Sequence, residues 1–266
     1  MIQAFHTAAS GLSGQQKNID IIANNVANIN TFGFKQSRLD FQDMMYNRMV
    51  NQVDNGEHMN LQHGTGVRPL QMNTLFLQGN AVTTERALDF MLQGNGFFNI
   101  EGDDGETLYT RDGTFKISVE TDANYLVTSD GKYVLDADGE RIQLTGDYTR
   151  MNLSPDGYIR FEDEEGNLSE ANTLRLGISD FINPAGLSDA GNNRFRATEN
   201  SGDPEQMDAD GTFGAPNVKN FALEGSNVDY GREATRLIRA QRAYQLASRA
   251  VTTADQMMGL ANSIRQ

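Results

Sequence analysis

An α+β fold is predicted, with an N-terminal and a C-terminal helix paired as a coiled coil and a β-rich, mostly antiparallel middle domain. Three observations predict it: apolar residues spaced three and four apart at both ends, a period of two through the middle, and Asp-Gly pairs between strand-like runs. The change of period divides the chain into a helix over residues 1–33, an extended or hairpin connector over 34–74, a β-rich domain over 75–222 and a second helix over 223–266.

In the first helix Phe5, Leu12, Ile19 and Val26 recur every seven residues, with Ile2, Ala9 and Ala23 between them and Gln16 as the one break. In the second, Leu237, Tyr244, Val251 and Met258 recur every seven, with Ala240, Ala247, Ala254 and Ala261 between them. Bulky side chains facing small ones suit close packing of one helix on the other. An ordinary pair of amphipathic helices on a globular core would show the same period, so the opposite faces must discriminate. Opposite the first seam lie Thr7, Ser10, Gly11, Gly14, Lys17, Asn18, Asn24, Asn25 and Asn28, and the first 34 residues hold just two charged side chains, Lys17 and Asp20. Amides and small residues suit a face that packs on protein, because a buried amide is satisfied by one or two hydrogen bonds whereas an unpaired buried charge is far more costly. Asn24, Asn25 and Asn28 are therefore expected to meet neighbouring subunits. Arg232, Arg236 and Arg239 form a stripe on the second helix, either a solvated basic face or a set of partners for carboxylates of another subunit. Residues 31–35 break the first helix, and Gly33 is the expected left-handed position that turns the chain into the connector.

Asp-Gly pairs at 104–105, 112–113, 130–131, 138–139 and 156–157 alternate with runs such as "ETLYTR", "TFKISV", "NYLVTS" and "YIRFE". Asp-Gly between such runs is the sequence of tight hairpins. In the connector, "DFQDMMYNRMV" suggests a helical turn or two ahead of the polar "NQVDNGEHMNLQHGTG"; "NSGDPEQMDADGTFGAPN" reads as a loop before the last helix.

The net charge of −14 argues against a nucleic-acid partner. Residues 1–35 carry +1 and residues 232–266 carry +4, which leaves −19 between them and gives ends and middle different surroundings. Without cysteine, disulfides and thiolate chemistry are excluded. No run is long and apolar enough to insert in a membrane, and "MIQAFHTAASGLSG" does not read as a cleaved secretory signal, so export would keep the N-terminus. His6, His58 and His63 form no zinc pattern, "GLSGQ" lacks the spacing of a nucleophile elbow, and "GNGFF" lacks the third glycine of a dinucleotide site. "DADGE" and "DADGT" invite a calcium reading but do not complete a twelve-residue calcium loop, and acidic "FEDEEGN" reads as solvated surface. No catalytic residue, metal site or cofactor is expected.

"ANNVANINTFGFK", "GTGVRP", "LQGNGFF", "YTRDGTF", "EGSNVD" and "LIRAQRAYQLASRAVTTADQMM" follow one another from Ala23 to Met258. In kind and order they resemble the axial proteins of the bacterial flagellum, the rod and hook proteins of the basal body, with the distal rod pattern nearest and a proximal rod paralogue as the alternative. The resemblance implies a non-enzymatic subunit of a helical tube, a homopolymer that meets other rod proteins, the hook protein and surrounding ring or bushing proteins. It also implies export by the flagellar type III apparatus to the basal body, outside the cytoplasmic membrane. The rival from another class is a secreted binding module whose β domain holds a ligand such as calcium and whose helices merely dimerise.

Overall fold

The structure, a computed structural model, describes residues 2–52, 58–120, 123–144, 151–161, 174–208 and 213–264. The fold is α+β: two terminal helices that pack together and a middle rich in antiparallel strands. The chain divides into two compact units, one of Met1–Ala27, Ser37–Thr74 and Asp229–Gln266, the other of Asn28–Gln36 and Leu75–Val228. Most of the expected connector thus belongs with the helices.

In the first unit α1 (Ile2–Ala27) packs on α2 (Tyr230–Ile264). Asp229 caps α2, its carboxylate accepting the Arg232 N–H at 2.8 Å. α1 stops at Ala27, short of residue 33, because the next residues turn back on themselves: the Thr31 N–H and Oγ1 both donate to Asn28, at 3.2 and 3.1 Å. β1 (Ser37–Asp43), β2 (Tyr46–Gln52), β3 (His58–Gly64) and β4 (Val67–Thr74) form a long hairpin, in which β1 pairs antiparallel with β4 and β2 with β3. The helical turn expected at "DFQDMMYNRMV" is therefore strand. Leu39 and Phe41 alternate with Arg38, Asp40 and Gln42, and this period of two prevails over the methionines that follow. Asp40 faces Gln71 and Phe41 faces Pro69, which leaves Leu70 unmatched in a bulge next to a proline that has no N–H for the ladder.

The hairpin also covers one side of α1. A Cβ at Gly14 would lie 3.0 Å from the Phe41 ring, and the Val67 N–H points to Ser10 Oγ at 3.4 Å. Gly66 has φ 116°, and any side chain there would run into Ser10 Oγ, which accounts for glycine in "GTGVRP".

The second unit contains β5 (Ala81–Thr83), β6 (Phe90–Leu92), β7 (Phe97–Glu101), β8 (Thr107–Thr110), β9 (Phe115–Val119), β10 (Asn124–Thr128), β11 (Gln143–Leu144) and β12 (Met151–Leu153). It continues with β13 (Tyr158–Phe161), β14 (Leu174–Arg175), β15 (Ile178–Asp180), β16 (Ser188–Gly191), β17 (Arg194–Arg196), β18 (Glu205–Gln206), β19 (Val218–Asn220) and β20 (Ala222–Glu224). Its largest sheet has the order β16-β17-β8-β7-β15-β18; β11-β10-β9 and β12-β13-β14 form two smaller sheets, and β19-β6 and β20-β5 are pairs. Phe90, Phe98, Ile100, Phe115, Leu126 and Ile159 lie in one core, and Phe97, Tyr109, Phe181 and Phe195 with Phe76 form an aromatic cluster of edge-on rings.

Four of the five Asp-Gly glycines have positive φ, as tight turns require. Gly113 is the exception. It lies where any side chain would strike the Phe90 carbonyl, and Asp112 Oδ1 holds the local turn by accepting Thr114 N at 3.0 Å and Thr114 Oγ1 at 2.7 Å. Burial raises the Asp112 carboxyl above its ordinary value of 3.8, against those hydrogen bonds and with Asp130 and Asp89 adding repulsion. A raised carboxyl binds more protons folded than unfolded, so its contribution falls as pH rises above 3.8. Asp112→Asn keeps an oxygen for Thr114 and is expected to raise the urea midpoint at pH 7, with the gain lost as pH falls through the raised folded value toward 3.8.

Candidate assembly surface and motif junction

The predicted seam residues of α2 lie along one face of it. Leu237, Tyr244, Val251 and Met258 are half-buried, and Ala240 and Ala254 between them are buried. On α1, Phe5, Leu12, Ile19 and Val26 are also half-buried, but Ala23, expected on the same line, is exposed. The most buried residues of α1 are Gly14, Ile22 and Asn25, about a third of a turn round the helix from that line. The shift has a physical cause: α1 has two partners within its own unit, α2 and the β1–β4 pair, and buries most deeply the line between them.

This corrects the expected role of Asn25. Asn25 does not look outward. Its Nδ2 donates to the Ser37 carbonyl at 2.8 Å and its Oδ1 accepts the Ser37 N–H at 3.0 Å, so the side-chain amide pairs with the first residue of β1 much as a strand would. The same Nδ2 stands 3.4 Å from Glu233 Oε2, and Glu233, fully buried, accepts Arg236 at 2.7 Å through its other oxygen. Ser10 and Gly14, from the same expected outer face, meet the hairpin. Asn24 is exposed on α1, and Asn28 is half-buried in the second unit.

Of the arginine stripe, Arg236 is paired within its own helix and Arg232 lies 3.7 Å from Asp229. Arg239 lines a groove between α1, α2 and β1, together with Ile21, Ile22, Leu39, Phe41 and Ala240.

The second unit holds a feature to which no sequence pattern assigned a role. Lys35, Arg111 and Glu224, all buried, form one ion cluster. Lys35 Nζ donates to Glu224 Oε1 at 2.7 Å and to the Leu77 carbonyl at 2.8 Å. Arg111 reaches Glu224 Oε2 at 3.3 Å and the Gly94 carbonyl at 2.8 Å, and its guanidinium lies over the Phe97 ring. Glu224 Oε1 also accepts the Gly79 N–H at 2.7 Å. Burial pulls the Lys35 ammonium below its ordinary value, Glu224 pushes it back up and Arg111 pulls it down; burial likewise lowers Arg111 against the attraction of Glu224 and Asp180. Gly33, with φ 68°, donates its N–H to the Glu224 carbonyl at 2.7 Å, and a Cβ on it would lie 2.6 Å from the Asp112 nitrogen. Beside the cluster, Asn227 accepts the Gln36 N–H at 2.7 Å and donates to the carbonyls of Leu75 and Leu77 at 2.7 and 3.0 Å. Motif segments far apart in sequence thus meet at one buried junction: "TFGFK" supplies Lys35, "LQGNGFF" Gly94, "YTRDGTF" Arg111, and "EGSNVD" Glu224 and Asn227.

Among the described residues no group of three or more His, Asp or Glu side chains is arranged to hold a metal ion. In "DADGE" Asp136 Oδ1 accepts the N–H groups of Asp138 and Glu140, at 3.0 and 2.8 Å, and so holds its own turn. Asp208 of "DADGT" is paired with Arg175, while the rest of that motif, "FEDEEGN" beyond its first residue, and the side chains of His58 and His63 lie outside the described residues.

Three family profiles match the chain: "Flagella basal body rod protein" over residues 5–35, "Flagellar hook protein FlgE/F/G D1 domain" over 91–161 and "Flagellar basal body rod FlgEFG protein C-terminal" over 219–264. Flagellar basal-body rod protein FlgG of Agrobacterium fabrum is 39% identical over 269 residues, covering 97% of this chain and 98% of the relative. FlgG of Borreliella burgdorferi is 37% identical over 276 residues, covering both chains completely. The chain belongs to the flagellar basal-body rod protein family. Flagellar hook-basal body complex protein FlhP of Bacillus subtilis is 30% identical over the full length of both chains. Each of the three segments that match the rod and hook profiles contributes one charged member of the buried cluster: Lys35, Arg111 and Glu224. No helix among the described residues is long and apolar enough to cross a membrane.

Proposed function

We propose that this rod-family chain is the distal rod subunit, a non-enzymatic structural protein that polymerises into a stiff hollow shaft carrying torque from motor to hook. One observation carries the reading: Ile22, Ala240 and Ala254 are the only buried apolar residues of the first unit among the described residues, whereas the second unit has a full core. Two helices of 26 and 35 residues with so thin a shared core gain most of their stability by packing on something else, and copies of the same chain are the natural supply. Weak contacts repeated along a helical assembly add to a rigid whole. Identity to FlgG relatives of 34–39%, against 30% to FlhP, favours the distal position over a paralogue. Other rod proteins and the hook protein at the two ends, ring or bushing proteins around the shaft, and export through the type III apparatus to the basal body complete the reading.

Deleting the gene tests it. Cells are expected to stop swimming and to lack hooks, with both restored by the intact chain. Normal swimming and hooked basal bodies in the deletion strain would overturn the proposal.

A further inference from the structure

The last stretch of the second unit, residues 217–228, joins parts of it that are far apart in sequence. The Asn217 carbonyl accepts the Gln93 N–H at 2.7 Å, the Val218 N–H donates to the Pro155 carbonyl at 2.8 Å, and β19 and β20 pair with β6 and β5. Val218, Ala222, Leu223 and Val228 are buried. Between the two pairings Phe221 takes φ 53°, a backbone state that bulky residues rarely adopt, and its carbonyl accepts the Thr84 N–H at 2.7 Å. A strained residue persists where its surroundings hold it from both sides, so β19 and β20 dock as one piece. The same stretch brings the carboxylate of the ion cluster. Lys35 and Arg111 repel each other, Glu224 contacts both, and Asp180 attracts Arg111. Glu224 lies 189 residues from Lys35, and Asn227 lies 191 residues from Gln36, whose N–H it accepts. Until this stretch is in place, burying Lys35 would set an ammonium beside Arg111 with no Glu224 to contact, which is far more costly than leaving it in water.

We infer that residues 217–228 are a closing latch: the second unit stays open, with Lys35 in water, until this stretch arrives and seats Glu224 against Lys35 and Arg111. Two strands, four buried apolar side chains and the counter-charge enter together, so the unit has no partly closed form in which the cations are buried and the latch is absent. Chains are made from the N-terminus, so residues 75–216 exist before the segment that closes them. The latch therefore ties folding of the whole unit to delivery of its last residues, and a chain interrupted before Glu224 keeps its middle unfolded. This device is independent of the rod assignment.

Splitting the purified full chain tests it. A protease recognition sequence in place of residues 209–212 allows a cut between β18 and β19. Amide hydrogen exchange over Phe97–Thr110 is the readout, because β7 and β8 pair with each other, β15 and β17 and not with the latch. The cut but undivided chain is expected to exchange as slowly as the intact one. Once the pieces are parted in urea and returned to buffer, the large fragment alone should exchange at least about a hundredfold faster, and adding the small fragment should restore slow exchange. A small fragment with Glu224→Gln should be needed at a concentration at least about a hundredfold higher. Lys219→Ala, at an exposed position of the same stretch, should act as the wild type does. Fast exchange in the cut, undivided chain, slow exchange in the large fragment alone, or no recovery when the small fragment is added overturns the latch. Equal potency of the wild-type and Glu224→Gln fragments, or a loss with Lys219→Ala as large as with Glu224→Gln, overturns the part given to Glu224. Each of these results leaves the rod assignment standing, and normal swimming of the deletion strain removes that assignment without touching the latch.

Discussion

Glu224→Gln is expected to destabilise the second unit by about 3–5 kcal/mol, the usual consequence of removing one partner from a buried ion cluster. Glu224 is the carboxylate that both Lys35 and Arg111 contact directly, and it also accepts the Gly79 N–H. Glutamine keeps the shape but leaves Lys35 without its counter-charge and Arg111 with Asp180 alone, and its NH2 must point at one of the donors the carboxylate satisfied. The effect carries a pH signature. Burial already lowers the Lys35 pKa and Glu224 opposes that, so the variant should lower it further. A lysine depressed on folding binds more protons unfolded than folded between its folded value and 10.5, so stability rises with pH across that window. The variant should therefore recover part of its loss between pH 7 and pH 9, and the wild type should change less. Urea unfolding followed by near-ultraviolet circular dichroism of the tyrosines reads this out; an unchanged midpoint at pH 7 would show that the cluster contributes nothing.

The second large effect is expected from Asn25→Asp, at about 2–4 kcal/mol in the first unit. The substitution is isosteric, so packing is kept. What changes is that the donor to the Ser37 carbonyl and Glu233 becomes an acceptor, and a charge is placed beside the buried Glu233 carboxylate. The helix signal should melt earlier, β1 should lose its anchor on α1, and cells carrying the variant should not swim. Full motility together with an unchanged helix melt would mean that the Asn25–Ser37 pairing is dispensable.

What the sequence makes legible is what short spacings encode. The seam of α2 follows from a repeat of seven, and the turns at Gly105, Gly131, Gly139 and Gly157 follow from Asp-Gly between strands. Partners distant along the chain are another matter. The same rules that found the face of α1 opposite its seam could not tell a second subunit from the β1–β4 pair, because both would be met by the same small residues and amides; Asn25 belongs to the hairpin. Gly113 looks like the other Asp-Gly glycines, yet it serves close approach to Phe90. Glu224 is separated by 189 residues from Lys35 and by 113 from Arg111, so no local period links them. A lone charge in a short, otherwise uncharged run, as in "FGFK" and "ALEG", was the available signal.

If this chain is a repeating structural subunit of the rod, labelled basal bodies must show it. The Asp138-Gly139 turn is exposed, and nothing lies within 4 Å of where a Gly139 side chain would begin, so a small electron-dense tag can be inserted there. In basal bodies isolated from cells whose swimming depends on the tagged chain, label density is expected to repeat at regular intervals around and along the rod. Rods free of label in such cells would contradict the account.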